Sequence, residues 1–268
     1  MQIMPYLDRG NFTEILKRLC DNKWWDGDKN AYLKLMELFG QAIGRFQRGG
    51  QDADSKKSDM TLVHGDLFTE HVLVGNFDNN AEDMQNVAPK FSLIDLPTLN
   101  YVPDPDCTKL LVDPMFLSSI VFFEFRRENF RKGILEIFNN FYLGYVKEFS
   151  EKTINKLLEL FKNRETAYAA FEKAADYANS VGKYMKTRQE DKFNSSTQIQ
   201  SFENVPLSLV ERKNLEIQLA DLHRLAFLHA YYKIMNNDDK AKEILKEEDD
   251  WIEAWNNSGL YEKLKMKS

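Results

Sequence analysis

Thr61-Leu-Val-His-Gly-Asp-Leu-Phe-Thr-Glu-His-Val-Leu-Val74 and, further on, Phe91-Ser-Leu-Ile-Asp95 set acids and histidines at the ends of short apolar runs. Val72-Leu-Val74 and Phe91-Ser-Leu-Ile94 read as two strands joined by the polar stretch Asn79 to Lys90, the pattern of a hairpin. Asp66 and His71 fall in the loop that enters the first strand, and Asp95 falls at the exit of the second. A hairpin of this kind brings those three side chains to one mouth. Two carboxylates and an imidazole converging there can hold a divalent cation and accept a proton.

Helix dominates on either side. Apolar residues at Tyr32, Leu35, Met36, Phe39, Ile43 and Phe46 keep the three-and-four spacing of one buried helical face. Gly49-Gly50 ends that helix, and Gln51 to Ser58 is a polar loop. Leu99 to Thr108, interrupted by Pro103 and Pro105, reads as an extended loop. Asp113-Pro114 has the form of a helix start, with Asp as the cap, leading into an apolar core helix over Met115–Phe125. From there the expected helices run over about Glu128–Phe149, Lys152–Lys162, Thr166–Thr187, Leu207–Met235, Lys240–Lys246 and Asp250–Asn256. Gln189 to Glu203 is the one long polar loop between them. Lys246-Glu-Glu-Asp-Asp250 reads as a solvated turn, and His223, His229 and the Trp251/Trp255 pair as ordinary packing or surface residues. The fold class is mainly α with a small β-hairpin (α+β).

Composition narrows the function. The 268 residues are 43% hydrophobic and 29% charged, as in ordinary globular chains, and suffice for a sizeable core. A net charge of −6 argues against a nucleic-acid partner, which would call for a basic excess. No apolar run approaches the roughly 20 residues that cross a bilayer, and Met-Gln-Ile-Met-Pro-Tyr at the N-terminus has no secretory pattern. Cys20 and Cys107 lack metal-ligand spacing and read as free thiols in a reducing compartment, with one disulfide as the alternative. A cytoplasmic protein with no membrane association is the expectation.

Phosphoryl transfer from a nucleotide needs a carboxylate to receive the acceptor's proton and a small set of oxygen ligands for magnesium. His64-Gly-Asp66-Leu, a ligand five residues past the acid, then two apolar strands ending in Ile94-Asp95, meets that list. The segment resembles the catalytic core of the aminoglycoside phosphotransferase and choline kinase family, relatives of protein kinases with the pattern His-Gly-Asp-x-x-x-x-Asn followed by a strand-borne Ile-Asp. The resemblance implies that Asp66 is the catalytic carboxylate, that His64 fixes the loop backbone, and that Asp95 binds magnesium beside ATP or GTP. His71 stands where the family has Asn, and its softer imidazole would be an auxiliary metal ligand.

The likeness covers roughly residues 1–149, a kinase-like C-terminal lobe, with a helical subdomain at 150–268 packed on it. Met1 to Phe12 resembles the hinge between lobes, and Phe141-Tyr-Leu-Gly-Tyr145 an aromatic helix of the family. Asp113-Pro114 and Asp104-Pro105 are rival matches to its downstream Asp-Pro. The family's strand-rich nucleotide lobe has no counterpart within the chain, so either a preceding segment or another chain completes it, or nucleotide binding has been lost. The implied activity is phosphorylation of a hydroxyl on a small molecule. The alternatives are a pseudokinase or helical interaction module, and a stand-alone metal site with hydrolase activity on His64, Asp66, His71 and Asp95.

Overall fold

The computed structural model describes residues 22–48, 59–65, 67, 71–75, 90–93, 100–118, 131–188 and 207–260. Helix α1 spans Asn22–Arg48 and is followed by β1 (Met60–Val63), β2 (Val72–Gly75), β3 (Lys90–Leu93) and β4 (Asn100–Pro103). Two short 3₁₀ turns, Lys109–Leu111 and Pro114–Phe116, come next. Then follow α2 (Arg131–Val146), α3 (Glu151–Leu160), α4 (Arg164–Arg188), α5 (Leu209–Ile234) and α6 (Asp238–Asn257). The architecture is mainly α with a small β component.

The apolar stripe of α1 is the face that packs. Leu35, Met36, Phe39 and Ile43 are all buried. The helix is longer than the periodic stretch suggested, beginning at Asn22, and it stops at Arg48, just before Gly49-Gly50. Against it lies α2, and the two backbones meet at glycines. A Cβ on Gly144 would run into the Glu37 carbonyl, and one on Gly40 into the Phe141 carbonyl. The crossing is flanked by ion pairs, Lys147 to Glu37 at 2.6 Å and Arg45 to Glu148 at 3.1 Å. A methyl group at Gly144 must therefore push two helices apart. Gly144→Ala is expected to cost about 2–3 kcal/mol, read as a lower urea midpoint at unchanged slope.

The strands form two antiparallel pairs. β2 pairs with β3 in the register Val72↔Leu93, Val74↔Phe91, the hairpin read from the sequence. β1 pairs with β4, Thr61↔Val102 and Val63↔Asn100. This second pair corrects the reading of Leu99–Thr108 as loop throughout. Pro103 ends its strand, a position where a missing N–H is tolerated. The hairpin is seated on the helices through Phe91, whose ring centre is 5.1 Å from that of Phe39, itself 5.9 Å from Phe141.

Buried carboxylates organise the turns after β4. Asp104 accepts from Thr61 Oγ1 (3.1 Å) and from the backbone N–H groups of Lys109 (3.0 Å) and Leu110 (3.1 Å), joining β1 to the first 3₁₀ turn. Asp113 does not cap the second turn, contrary to the sequence reading; its carboxylate points elsewhere, as described below. The expected core helix over Met115–Phe125 is described only to Ser118, as a 3₁₀ turn passing into helix.

The C-terminal helices carry recognisable starts. Ser208 and Glu211 form a reciprocal capping box at α5, Ser150 caps α3, and Asn237 caps α6 ahead of Asp238 and Asp239. α6 is one continuous helix, so Lys246–Asp250 is not a solvated turn. Glu248 within it is buried, accepts from Asn139 Nδ2 (3.1 Å) and faces His229 at 3.5 Å. Trp251 and Trp255 stack at 5.5 Å on the same buried helix face. Asp221 is buried too, held by Arg164 (2.6 Å) and Arg224 (2.7 Å). The buried apolar residues form one continuous cluster from Leu35 to Leu260. Among the described residues no helix is long and apolar enough to cross a membrane.

Candidate functional site

His64 and Gly65 leave the end of β1 as a tight loop, and the structure shows what holds it. The backbone N–H of His64 donates to both oxygens of Asp113 at 3.1 Å, and the N–H of Gly65 donates to Oδ1 at 3.1 Å. Gly65 adopts φ +78°, a conformation open to glycine at no steric cost. Asp113 is 1% exposed. Burial pushes its carboxyl above the ordinary range, against the opposing pull of the Gly65 and His64 N–H groups, the His64 ring and Gln47.

The clasp has its own support. Gln47 Nε2 donates to Asp113 Oδ2 (3.0 Å) and to the Leu110 carbonyl (3.2 Å). The Tyr145 hydroxyl lies 2.5 Å from Gln47 Oε1 and 2.8 Å from the Leu110 carbonyl. Helix α1, helix α2 and the 3₁₀ turns thus converge on one carboxylate, which in turn fixes two loop amides. Charge-assisted bonds of this sort exceed neutral ones by about twofold. Sequence reading missed Asp113 and Gln47 in this role. A signal existed for Gln47: it stands four residues past Ile43, where the apolar stripe of α1 would place another hydrophobe.

His64 is wholly buried and His71, at the entry to β2, is half-buried. Their rings stack with centres 6.1 Å apart and planes at 27°. Imidazole is a poor partner for magnesium, which prefers oxygen. The described residues therefore do not by themselves compose a magnesium site, and no group of three or more potential metal ligands occurs among them. Asp66 and Asp95 lie outside the described residues. In the chain they directly follow Gly65 and Ile94, the latter next after Leu93, which pairs with Val72.

The remaining candidates resolve differently. Cys107 is a free, buried thiol pushed up to about 12 by burial and by the Asp104 carboxylate, the opposite of an activated nucleophile. His223 is wholly enclosed, with Nδ1 2.8 Å from the Tyr142 hydroxyl and Nε2 3.1 Å from Ser118 Oγ. Burial lowers its pKa to about 3. Cys20, the Met1–Phe12 segment and the Gln189–Glu203 loop lie outside the described residues. Comparison of the chain with family models, with curated proteins and with solved structures finds no match.

Proposed function

We propose that this chain is the kinase-like catalytic lobe of an ATP- or GTP-dependent phosphotransferase that phosphorylates a hydroxyl of a small molecule. The observation that supports it is the clasp of Asp113 on the His64 and Gly65 amides. A loop so anchored, at the junction of two strand pairs, is the rigid mount that phosphoryl transfer needs, since that chemistry relies on positioning and electrostatics more than on covalent steps.

In this reading Asp66 receives the proton of the acceptor hydroxyl. The hydroxyl oxygen forms the new bond to the terminal phosphorus, the bridging P–O bond breaks, and the nucleoside diphosphate leaves. His64, buried beneath the loop, keeps its backbone in place. Asp95 would supply the oxygen ligand for magnesium accompanying the nucleotide, with His71 beside it.

The test is a thermal-shift titration with Mg-ATP and Mg-GTP, because a ligand bound only by the folded state raises the melting temperature. A rise with one of them is expected. It should vanish in Asp95→Ala and persist in Asp66→Ala, which loses turnover. No rise with either nucleotide at millimolar concentration, or an undiminished rise in Asp95→Ala, would sink the assignment.

A further inference from the structure

A cavity of about 300 Å³ lies between α4 and α5, floored by Met115 and Ser118 of the segment that carries Asp113. Its walls are apolar: Phe171 on α4 faces Leu215 and Leu219 on α5. Ala175 and Ala220 line it as well, and side chains this short leave open the space that larger ones would fill. The volume is at the lower end of those that hold small organic ligands.

Acids outnumber bases at the rim. Glu172 and Asp176 sit one turn apart on α4, and Glu216 stands on α5, all three at the cavity. The Tyr168 hydroxyl donates to Glu172 Oε1 at 3.0 Å, and the Glu216 carboxylate engages the same hydroxyl. Partial desolvation at the mouth, and then the neighbouring Glu172 charge, push the Glu216 carboxyl up. Two cations are near. Arg212 lines the cavity one turn before Glu216, the less favourable order for a helical pair, and the Lys213 ammonium lies 6.0 Å from the centre of the Tyr168 ring. Three carboxylates against one lining guanidinium leave the mouth acidic.

Glu172, Asp176 and Glu216 are exposed and so free to meet a ligand at the mouth of the apolar hollow. An entering positive charge relieves their repulsion, and an apolar body fills the walls beneath. We infer that the cavity binds a small organic cation with an apolar body, its ammonium held by Glu172 and Glu216 and its body against Phe171 and Leu219. This site stands without the phosphotransfer reading and is tested without nucleotide.

Three probes of one skeleton separate the contributions: 4-phenylbutylamine, 4-phenylbutanol and 4-phenylbutyrate, titrated calorimetrically into the full chain. The amine is expected to bind about tenfold more tightly than the alcohol, a difference of about 1.4 kcal/mol, and the acid most weakly. In the double variant Glu172→Gln/Glu216→Gln, both positions being exposed, the amine should fall to the affinity of the alcohol. Leu219→Trp, which fills the hollow, should weaken all three, and if it does not fold the double variant carries the test. Equal binding of amine and alcohol, a preference for the acid, an amine preference that survives the double variant, or no binding of any probe at millimolar concentration overturns the site.

Discussion

Acidification from about pH 7.5 to pH 4.5 is expected to remove some 2–3 kcal/mol of folding stability through His223 alone, about 1.4 kcal/mol for each pH unit below its unfolded pKa. The ring is wholly buried, touched by Phe171 at 4.7 Å, Phe138 at 5.0 Å and Tyr142 at 5.8 Å between ring centres. A neutral imidazole suits its two hydroxyl neighbours, one accepting and one donating. Tyr142 keeps its proton, since burial holds that phenol well above the ordinary range.

The sign follows from the direction of the shift. His223 has a folded pKa of about 3 against 6.5 for the free side chain, so the unfolded chain binds the extra proton first. The stability is complete above about pH 6.5 and drains away as pH falls towards 3. Carboxylates add their own acid sensitivity, so the readout is a difference. Urea unfolding of wild type and His223→Gln across this range should give curves that converge as pH falls. Parallel curves would show that the imidazole is not the group responsible.

Replacing Asp113 with alanine should be the costlier change, about 4 kcal/mol. It leaves the His64 and Gly65 N–H groups and Gln47 Nε2 without the oxygens they now meet. Each buried donor so stranded costs about 1–3 kcal/mol, and the local relaxation of the loop recovers part of the sum. Asp113→Asn keeps the shape and one acceptor but turns an amide N–H₂ towards other donors, and about half the loss is expected. Urea midpoints measure the stability. Amide hydrogen exchange at His64 and Gly65 measures the clasp itself, and should accelerate far more than at α5. Exchange at those two amides matching wild type would show that Asp113 does not hold the loop.

On the phosphotransfer reading, the same substitution lowers turnover by releasing the backbone beneath Asp66. On that reading the clasp links fold and chemistry in one residue. It also explains why an acid is kept in an interior position where an apolar side chain would be easier to accommodate: three donors point there, and a neutral hydrocarbon satisfies none of them.

Helices α1 to α5 and the β2–β3 hairpin were legible in the residues because they depend on local spacing within a few positions. Periodicity says which face of a helix is apolar, and Leu35, Met36, Phe39 and Ile43 duly face inward. It does not say what that face meets. The pairing of β1 with β4, the Gly40 and Gly144 crossing, and the reach of Asp113 back to His64 join residues 37 to more than 100 positions apart, and no local pattern encodes such partners. The same holds for charge. Glu248 inside an acidic run looks like a surface residue, and His223 beside ordinary leucines like either a packing or a surface one, until the neighbouring helices close over them, because the burial of a polar group depends on which donors and acceptors three-dimensional packing delivers to it.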